Sequence, residues 1–217
     1  MNNTYALVRY FKSSSLYTLL ALSLITATGC VTGNRGVVIP VESGDRPVLR
    51  KSAAIRSVVD LRTFVDDSSD PSDPSASGGV QKLSRLRKSQ LVGRQRNAYG
   101  GAMGNVELYD EKSIQELMRS IVAEGLARRG VAVRQGATPI DIRIDKFWGW
   151  MNPGMMTLSI ETEIQARVTI NNRTRLIRGH GIKDSGATFT FTWEEAYRRA
   201  VIDFLDNLDW HLQSSGL

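Results

Sequence analysis

The sequence predicts an α+β protein, a two-layer sandwich in which two amphipathic helices cover one face of a mainly antiparallel sheet. Two observations predict this class. Several segments alternate apolar and polar residues with a period of two, which is typical of strands with one buried face. Two other segments carry an apolar stripe at three- and four-residue spacing, which is typical of helices that pack on a core.

The strands are predicted from this alternation, in chain order. Residues 53–65 place Ile55 and Val59 on one parity and charged side chains on the other. The most regular alternation covers residues 156–170, where even positions are mostly apolar and odd positions include Glu161. A strand with one polar face belongs to an antiparallel sheet that is covered on one side only. Shorter segments complete the predicted sheet: residues 140–145, 175–183 and 187–192.

The two helices are predicted from apolar stripes and capping residues. The first spans about residues 111–129; Ser113 opens it with a capping box, and Gly130 follows its last turn. The second opens with a capping box at Thr192. Its apolar stripe consists of Ala196, Tyr197, Ala200, Val201, Phe204, Leu205, Leu208 and Leu212.

An insert at about residues 66–96 is predicted to be disordered within a single domain of residues 37–217. Its first part, residues 66–74, is rich in Asp, Pro and Ser, and basic residues follow. One interpretation is that the basic part, which includes Arg94 and Arg96, contacts lipid phosphate, lipopolysaccharide or an acidic protein. The alternatives are a solvated segment, or mutual neutralisation of the acidic and basic parts.

The N-terminus has the pattern of a signal peptide over residues 1–29. Arg9 and Lys12 precede an apolar run over residues 16–26, and this run ends in small residues. The run is far shorter than the roughly 20 residues that a permanent membrane-spanning helix needs. The segment is therefore predicted to be removed after export.

The only cysteine of the chain, Cys30, follows this run directly, after Ala27, Thr28 and Gly29. A single cysteine cannot form an internal disulfide, so its position needs another explanation. The four residues resemble a bacterial lipoprotein processing site, in which the first three are recognised by the signal peptidase and Cys30 carries the lipid. The alternative is an ordinary signal peptide followed by a free thiol.

The resemblance to bacterial lipoproteins has further implications. It implies fatty acyl chains such as palmitate on Cys30, and a short tether over residues 30–36. Several acyl chains anchor a protein stably, whereas one binds marginally. Lipoproteins without Asp after the acylated cysteine are generally sent to the outer membrane, and Val31 occupies that position. The resemblance therefore implies a lipid anchor on the periplasmic face of the outer membrane, and no other cofactor is expected.

The segment around residues 147–156 is unusually apolar for a hairpin turn. Trp148, Trp150 and Met151 precede Asn152-Pro153-Gly154. Trp148 keeps the parity of the buried residues before it, which favours packing against a helix. Trp150 and Met151 lie nearer the turn, where amphipathic and deformable side chains suit a partner groove or a membrane interface. Ordinary packing is the competing interpretation.

Catalysis, metal binding and nucleic-acid binding are not expected. The two histidines, His180 and His211, lie in different predicted elements and are expected at the surface. Asp184-Ser185-Gly186 lacks the strand-to-helix GxSxG pattern of a nucleophile elbow. No aromatic stacking platform accompanies the basic residues, although the formal net charge is +6.

Several short segments resemble the YajG-like lipoproteins of bacterial outer membranes. This resemblance covers most of the chain after the cysteine and implies a role in assembly or interaction. The segments that carry it are residues 58–62, Val92-Gly93 with the following glycines, residues 126–133 and residues 140–144.

The expected function is that of a non-enzymatic, lipid-anchored accessory or assembly component that engages another envelope protein. The alternative is a lipid- or glycan-binding module in which Arg94, Arg96 and Trp150 hold an anionic amphiphile.

Overall fold

The computed structural model describes residues 33–217 except 49, 67, 77, 98–99, 110–111, 154–156, 187–188 and the side chain of Pro153. This described part contains eight strands, three α-helices and a short 3-10 helix (Val80–Lys82). The strands are β1 (Arg35–Val37), β2 (Lys51–Asp60), β3 (Leu91–Arg96), β4 (Ala102–Leu108), β5 (Val131–Val133), β6 (Thr138–Pro153), β7 (Leu158–Ile170) and β8 (Arg173–Ser185). The helices are α1 (Arg85–Gln90), α2 (Ile114–Arg128) and α3 (Thr190–Ser214).

The strands form one mixed sheet in the order β1-β4-β3-β6-β2-β5, with β7 paired to β6 and β8 paired to β7. The pairings β1–β4, β2–β5, β2–β6 and β3–β6 are parallel, and the others are antiparallel. The α+β class is confirmed, but the prediction of a mainly antiparallel sheet was wrong. The connection from β2 to β5 contains α2, and a helical crossover returns the chain in the same direction. The two-layer arrangement stays a prediction.

The main core forms between one set of alternating strand residues and two helices. Ile160, Ile164 and Val168 of β7 are fully buried in the same cluster as apolar side chains of α2 and α3. Two glycines of β8 allow α3 to approach closely: a Cβ on Gly179 would lie 2.6 Å from Phe204 Cβ, and one on Gly181 would lie 2.6 Å from Ala200 N. The apolar stripes therefore face the core, as their periodicity predicts.

A bulge in β6 reverses the side-chain parity of its second half. The register with β7 shifts between Ile144 and Lys146. Ile144 and Phe147 therefore both lie in the main core, whereas Trp148 lies in a second cluster with Leu91 and other buried residues. A bulge adds one residue to the period of two, so the neighbours expected from simple alternation change. Trp148 is buried, but not against a helix as its parity suggested.

The structure also corrects the predicted insert and tether. Residues 85–96, predicted to be disordered, form α1 and β3, and every residue of β3 is buried. Arg35 and Gly36, predicted as tether, belong to β1. Strand β1 pairs only with β4, and β3 pairs with β6 as well as with the adjacent β4. Pairing between distant segments is not visible in local periodicity.

The first long helix is confirmed, whereas the start of the second differs from its prediction. Ser113 and Glu116 form the predicted capping box of α2. Helix α3 begins at Thr190 with Phe189 as its N-cap, and no side chain caps it. The predicted capping box at Thr192 was therefore wrong, and the strand predicted over residues 187–192 is replaced from Thr190 onward by helix.

Candidate interaction surfaces

The predicted contact residues around the hairpin are buried. Trp148 is 0% exposed, Trp150 9% and Met151 8%. The indole Nε1 of Trp148 donates a hydrogen bond to the carbonyl oxygen of Pro71 at 3.2 Å, and the Lys146 ammonium lies 5.4 Å from the Trp150 ring centre. The interpretation of these side chains as an exposed contact was therefore wrong, and the competing interpretation, ordinary packing, is the one observed. Trp148 and Trp150 pack with Ala76 and Val80 of the chain after β2, and Met151 lies in the main core.

Arg94 and Arg96 are buried as well, at 5% and 8% exposure. Arg94 Nη1 donates to Ser75 Oγ at 3.1 Å, and Arg96 Nη2 donates to the carbonyl oxygen of Ser68 at 2.9 Å. Both side chains therefore hold the segment between residues 68 and 75 on the sheet. They do not form the solvent-facing basic surface that the sequence predicted.

The predicted lipid-attachment site lies outside the described residues. This applies to Cys30 and to the recognition residues Ala27, Thr28 and Gly29. Among the helices of residues 33–217 that are described, none combines the length and the apolar character that a membrane crossing requires.

An exposed apolar surface surrounds β1, and we call it the β1 surface. It consists of Val38, Tyr109, Phe189 and Phe191, which are between 52% and 60% exposed. The two phenylalanine rings stack with their centres 5.3 Å apart. Single exposed apolar residues are ordinary, but several exposed apolar residues around one short strand are typical of an interaction site.

Contacts of β1 bring these side chains together. A Cβ on Gly36 would lie 3.0 Å from Cδ2 of Tyr109, so the tyrosine ring packs over the strand. On the side of α3, Arg35 Nη1 donates to Thr190 Oγ1 at 3.1 Å, and Thr190 lies between the two phenylalanines in sequence. Strand β1 therefore links Tyr109 to the start of α3.

A mostly apolar groove of about 440 Å³ borders the β1 surface. Its lining joins the chain after β1 to the end of β4 and the first turns of α2. The volume falls in the range of roughly 300–1,000 Å³ typical of binding pockets. The lining residues are Val37, Val38, Ile39, Pro40, Val41, Leu108, Tyr109, Lys112, Glu116, Leu117 and Ser120.

A second cavity of about 730 Å³ lies between the end of β2 and α1, and we call it the α1 cleft. Arg85 and Lys88 bring positive charge to it, whereas Val58, Val59 and Phe64 form an apolar wall. Among the described residues, neither cation has a hydrogen bond or an ion pair from its side chain to a carboxylate. The remaining lining residues are Asp60, Arg62, Thr63, Val80, Gln81, Ser89 and Gln115.

Arg62 ties the walls of the α1 cleft together. Its Nε and Nη2 donate to the two carboxylate oxygens of Asp60, each at 2.9 Å. Its remaining donors reach the carbonyl oxygens of Lys88 at 2.9 Å, Leu91 at 2.6 Å and Phe147 at 3.2 Å. The side chain is fully buried. A buried arginine with every donor used is a structural clamp, and it neutralises Asp60.

The histidines are not brought together. His211 is buried and its Nε2 lies 3.1 Å from the carbonyl oxygen of Val168; burial lowers the pKa of its imidazole. His180 is exposed, 3.6 Å from Glu161. The prediction of a surface position therefore holds for His180 and was wrong for His211. In the described part of the chain, no three His, Cys, Asp or Glu side chains cluster closely enough to hold a metal ion.

Two carboxylates with a lowered pKa, Asp141 and Glu163, are in ion pairs between neighbouring strands. Hydrogen bonds from Arg56 and Ser57 lower the pKa of Asp141, which joins β6 to β2. Burial favours the neutral form of Glu163, but hydrogen bonds from Lys146 and Gln165 hold its pKa below the ordinary value. These groups stay ionised and serve packing between strands.

The β1 surface was missed in the sequence because its parts are distant from one another along the chain. One signal was available: Val37, Val38 and Ile39 are consecutive, and consecutive apolar residues in a strand place apolar side chains on both faces. Phe189 and Phe191 fall within the strand predicted over residues 187–192, whereas Phe191 lies in the first turn of α3. The cations of the α1 cleft were visible as part of the basic segment.

Comparison with known proteins identifies no family. No family model matches the chain, and no curated protein matches it. The resemblance to YajG-like lipoproteins therefore stays a prediction.

Three solved structures resemble parts of the fold. A Xanthomonas campestris protein of the family DUF330 is 14% identical, with a TM-score of 0.45 over 85% of this chain and 98% of its own. An uncharacterized protein is 8% identical, with a TM-score of 0.43 over 83% and 98%. A protein of Caulobacter crescentus CB15, named as a suspected lipoprotein, is 12% identical, with a TM-score of 0.31 over 46% and 80%. At these values none of the three assigns a function to this chain.

Proposed function

We propose that this chain is a lipid-anchored envelope lipoprotein that works by binding rather than catalysis, at the periplasmic face of the outer membrane. Its partner is another envelope protein that presents apolar side chains. The β1 surface carries this proposal, because its apolar side chains are exposed and two of them, Val38 and Tyr109, line an apolar groove. Apolar patches and aromatic anchors of this kind concentrate binding energy at protein interfaces.

A lipid anchor on Cys30 would hold the β1 surface near the membrane. Arg35, where β1 begins, comes only a few residues after Cys30. An acylated Cys30 would therefore keep β1 close to the bilayer, because an extended chain spans at most about 3.6 Å per residue. A partner that reaches the β1 surface would then be a membrane protein or a periplasmic protein held near the membrane.

The anchor is tested by Cys30→Ser in the full chain. We expect loss of incorporated palmitate and release of the protein from the membrane fraction, whereas the control Val31→Ala keeps both. Val31→Asp tests the location, since Asp after the acylated cysteine is expected to retain the protein in the inner membrane. Palmitate incorporation in Cys30→Ser would contradict the assignment of the anchor.

The interaction is tested by photocrosslinking in intact cells from probes at Tyr109 and at Phe191. The matched control is Trp210, an equally exposed aromatic residue on the same helix. At about 1.5 Å per residue, it lies roughly 28 Å from Phe191 along α3.

A discrete protein adduct from the first two positions and not from Trp210 is the expected result. Labelled lipid in place of protein would mean that the β1 surface rests on the bilayer, and absence of any adduct would mean that it has no partner. Either result contradicts the proposal. A probe at Trp150 is expected to yield no external adduct because that side chain is buried.

A further inference from the structure

We propose that the α1 cleft binds the phosphate-bearing headgroup of an anionic phospholipid, with apolar parts of the lipid against its valine and phenylalanine wall. The proposal does not depend on the β1 surface, because the lining of the α1 cleft and that of the apolar groove share no residue.

The charge of the cleft favours an anion. Its single carboxylate, Asp60, is engaged by both oxygens with Arg62. Arg85 and Lys88 therefore remain as two cations without a counter-charge in the lining. Cations in a concave site attract anions more strongly than they would on an open surface, since the low-dielectric walls reduce screening by water.

The apolar wall distinguishes a lipid from free inorganic phosphate. Val59 is 44% exposed at the cleft, and Val58 and Phe64 lie beside it, partly exposed. A free phosphate would leave this wall in water, whereas the glycerol and acyl carbons of a phospholipid would cover it. Burial of that surface contributes roughly 25 cal/mol per Å².

The cleft is already organised for binding. Arg62 hydrogen-bonds Asp60 at the end of β2 and the carbonyl oxygen of Lys88 in α1, so one side chain fixes both walls. Ser84 caps α1 by accepting a hydrogen bond from the Arg87 backbone N–H at 3.2 Å. A pre-formed site avoids the entropic cost of ordering its walls when the ligand arrives.

The size of the cleft suits a headgroup better than a folded partner. Its volume of about 730 Å³ lies within the roughly 300–1,000 Å³ of small-molecule sites. A stable protein interface instead buries about 800 Å² on each partner. An acidic protein segment is therefore the less favoured occupant, and the experiment includes it.

The test uses the full chain in a neutral detergent and native mass spectrometry. The protein is incubated with equal amounts of dioleoyl phosphatidylglycerol and dioleoyl phosphatidylcholine, which differ in net charge but not in acyl chains. We expect bound phosphatidylglycerol to exceed phosphatidylcholine by about tenfold. The double variant Arg85→Gln/Lys88→Gln should reduce its binding by roughly tenfold or more, since each cation near an anionic lipid contributes substantially.

Two further variants distinguish the contribution of the cleft cations from a general effect of net charge and from the contribution of the apolar wall. Arg143→Gln/Arg173→Gln removes the same net charge from exposed positions outside the cleft and should bind like the wild type. Val59→Ser should weaken binding of phosphatidylglycerol while leaving any binding of inorganic phosphate unchanged. Circular dichroism of each variant verifies that it is folded.

Three outcomes would overturn the proposal. Equal binding of the two lipids would mean that the headgroup charge is not recognised. Binding of inorganic phosphate as tight as that of phosphatidylglycerol would indicate a simple anion site. An oligoglutamate peptide and free phosphatidylglycerol are also compared as competitors for the bound lipid. If the peptide displaces it at the lower concentration, the occupant is an acidic protein.

Discussion

Replacement of Gly179 by alanine tests the close packing of α3 on β8. The new Cβ would lie 2.6 Å from Phe204 Cβ and closer still to the carbonyl oxygen of Ala200. Carbon atoms in contact are normally about 3.5–4.0 Å apart, so the helix must move away from the strand. The obstructing atoms include helix backbone, which cannot rotate aside as a long side chain could.

The magnitude follows from this geometry. Overpacking of a core costs about 1–3 kcal/mol, and the backbone obstruction places Gly179→Ala at the upper end. Alanine loses less chain entropy on folding than glycine, which offsets roughly 0.5 kcal/mol. We therefore expect the free energy of unfolding to fall by about 2–3 kcal/mol and the melting temperature by roughly 4–12 °C.

The displacement should also open the edge of β8. Side chains of α3 cover that edge: Asn207 Nδ2 donates to the carbonyl oxygen of Arg178 at 3.0 Å, and Asp203 accepts from the His180 backbone N–H at 2.8 Å. A helix that moves outward weakens both hydrogen bonds. An uncovered edge pairs with other chains, so the variant should aggregate more readily on heating.

The assay is urea unfolding followed by far-UV circular dichroism, with Gly186→Ala as the matched control. Gly186 has no atom within 4 Å of the position of a Cβ, and its φ lies outside the left-handed region. Its replacement should change the free energy of unfolding by less than about 0.5 kcal/mol. If Gly179→Ala costs no more than this control, the inferred close contact between α3 and β8 is wrong.

Three further predictions concern the clamp, an ion pair and the second core. Arg62→Met should lower the free energy of unfolding by about 3–5 kcal/mol in urea titrations, because it leaves Asp60 unpaired at a largely buried site. The control Arg167→Met removes a half-exposed partner of Asp145 and should lower it by less than about 1 kcal/mol. Hydrogen bonds from Arg198 and Arg199 lower the pKa of Glu195 from 4.5 to about 2, so its contribution is present above pH 4.5 and is lost as the pH falls towards 2. Glu195→Gln should therefore be less stable than the wild type at pH 6 and equally stable near pH 2, and an unchanged difference at both pH values would refute the assignment. Trp148→Ala should lower the free energy of unfolding by about 3–5 kcal/mol. It should also make residues 66–82 sensitive to proteolysis, because Trp148 packs against this segment and donates a hydrogen bond to Pro71. Cleavage no faster than in the wild type would contradict that role.

The elements predicted correctly are those whose signal is local. The capping box at Ser113 and the apolar stripe that follows it locate α2 to within a few residues. The alternation over residues 156–170 corresponds to β7, whose even positions are buried, apart from the half-buried Leu158 at its start. Helix stripes and strand alternation depend on residues close in sequence, so they are readable without the tertiary structure.

The candidate sites were predicted less well, because burial depends on contacts between distant residues. Arg94 and Arg96 belong to a basic segment, and nothing local distinguishes them from Arg85. In the structure the first two hold residues 68–75 on the sheet, whereas Arg85 lines an open cleft. Charge alone could not separate these roles.

The sequence by itself determined the α+β class, the two long helices and the polar face of β7, since each depends on a short-range period. It also contains the linear motif from which a lipid on Cys30 is predicted. Only the tertiary structure decided the mixed sheet, the burial of Trp150 and the position of the exposed apolar residues. One bulge after Ile144 reverses the faces of every later residue in its strand. The pairings of β1 with β4 and of β3 with β6 join segments that are far apart along the chain.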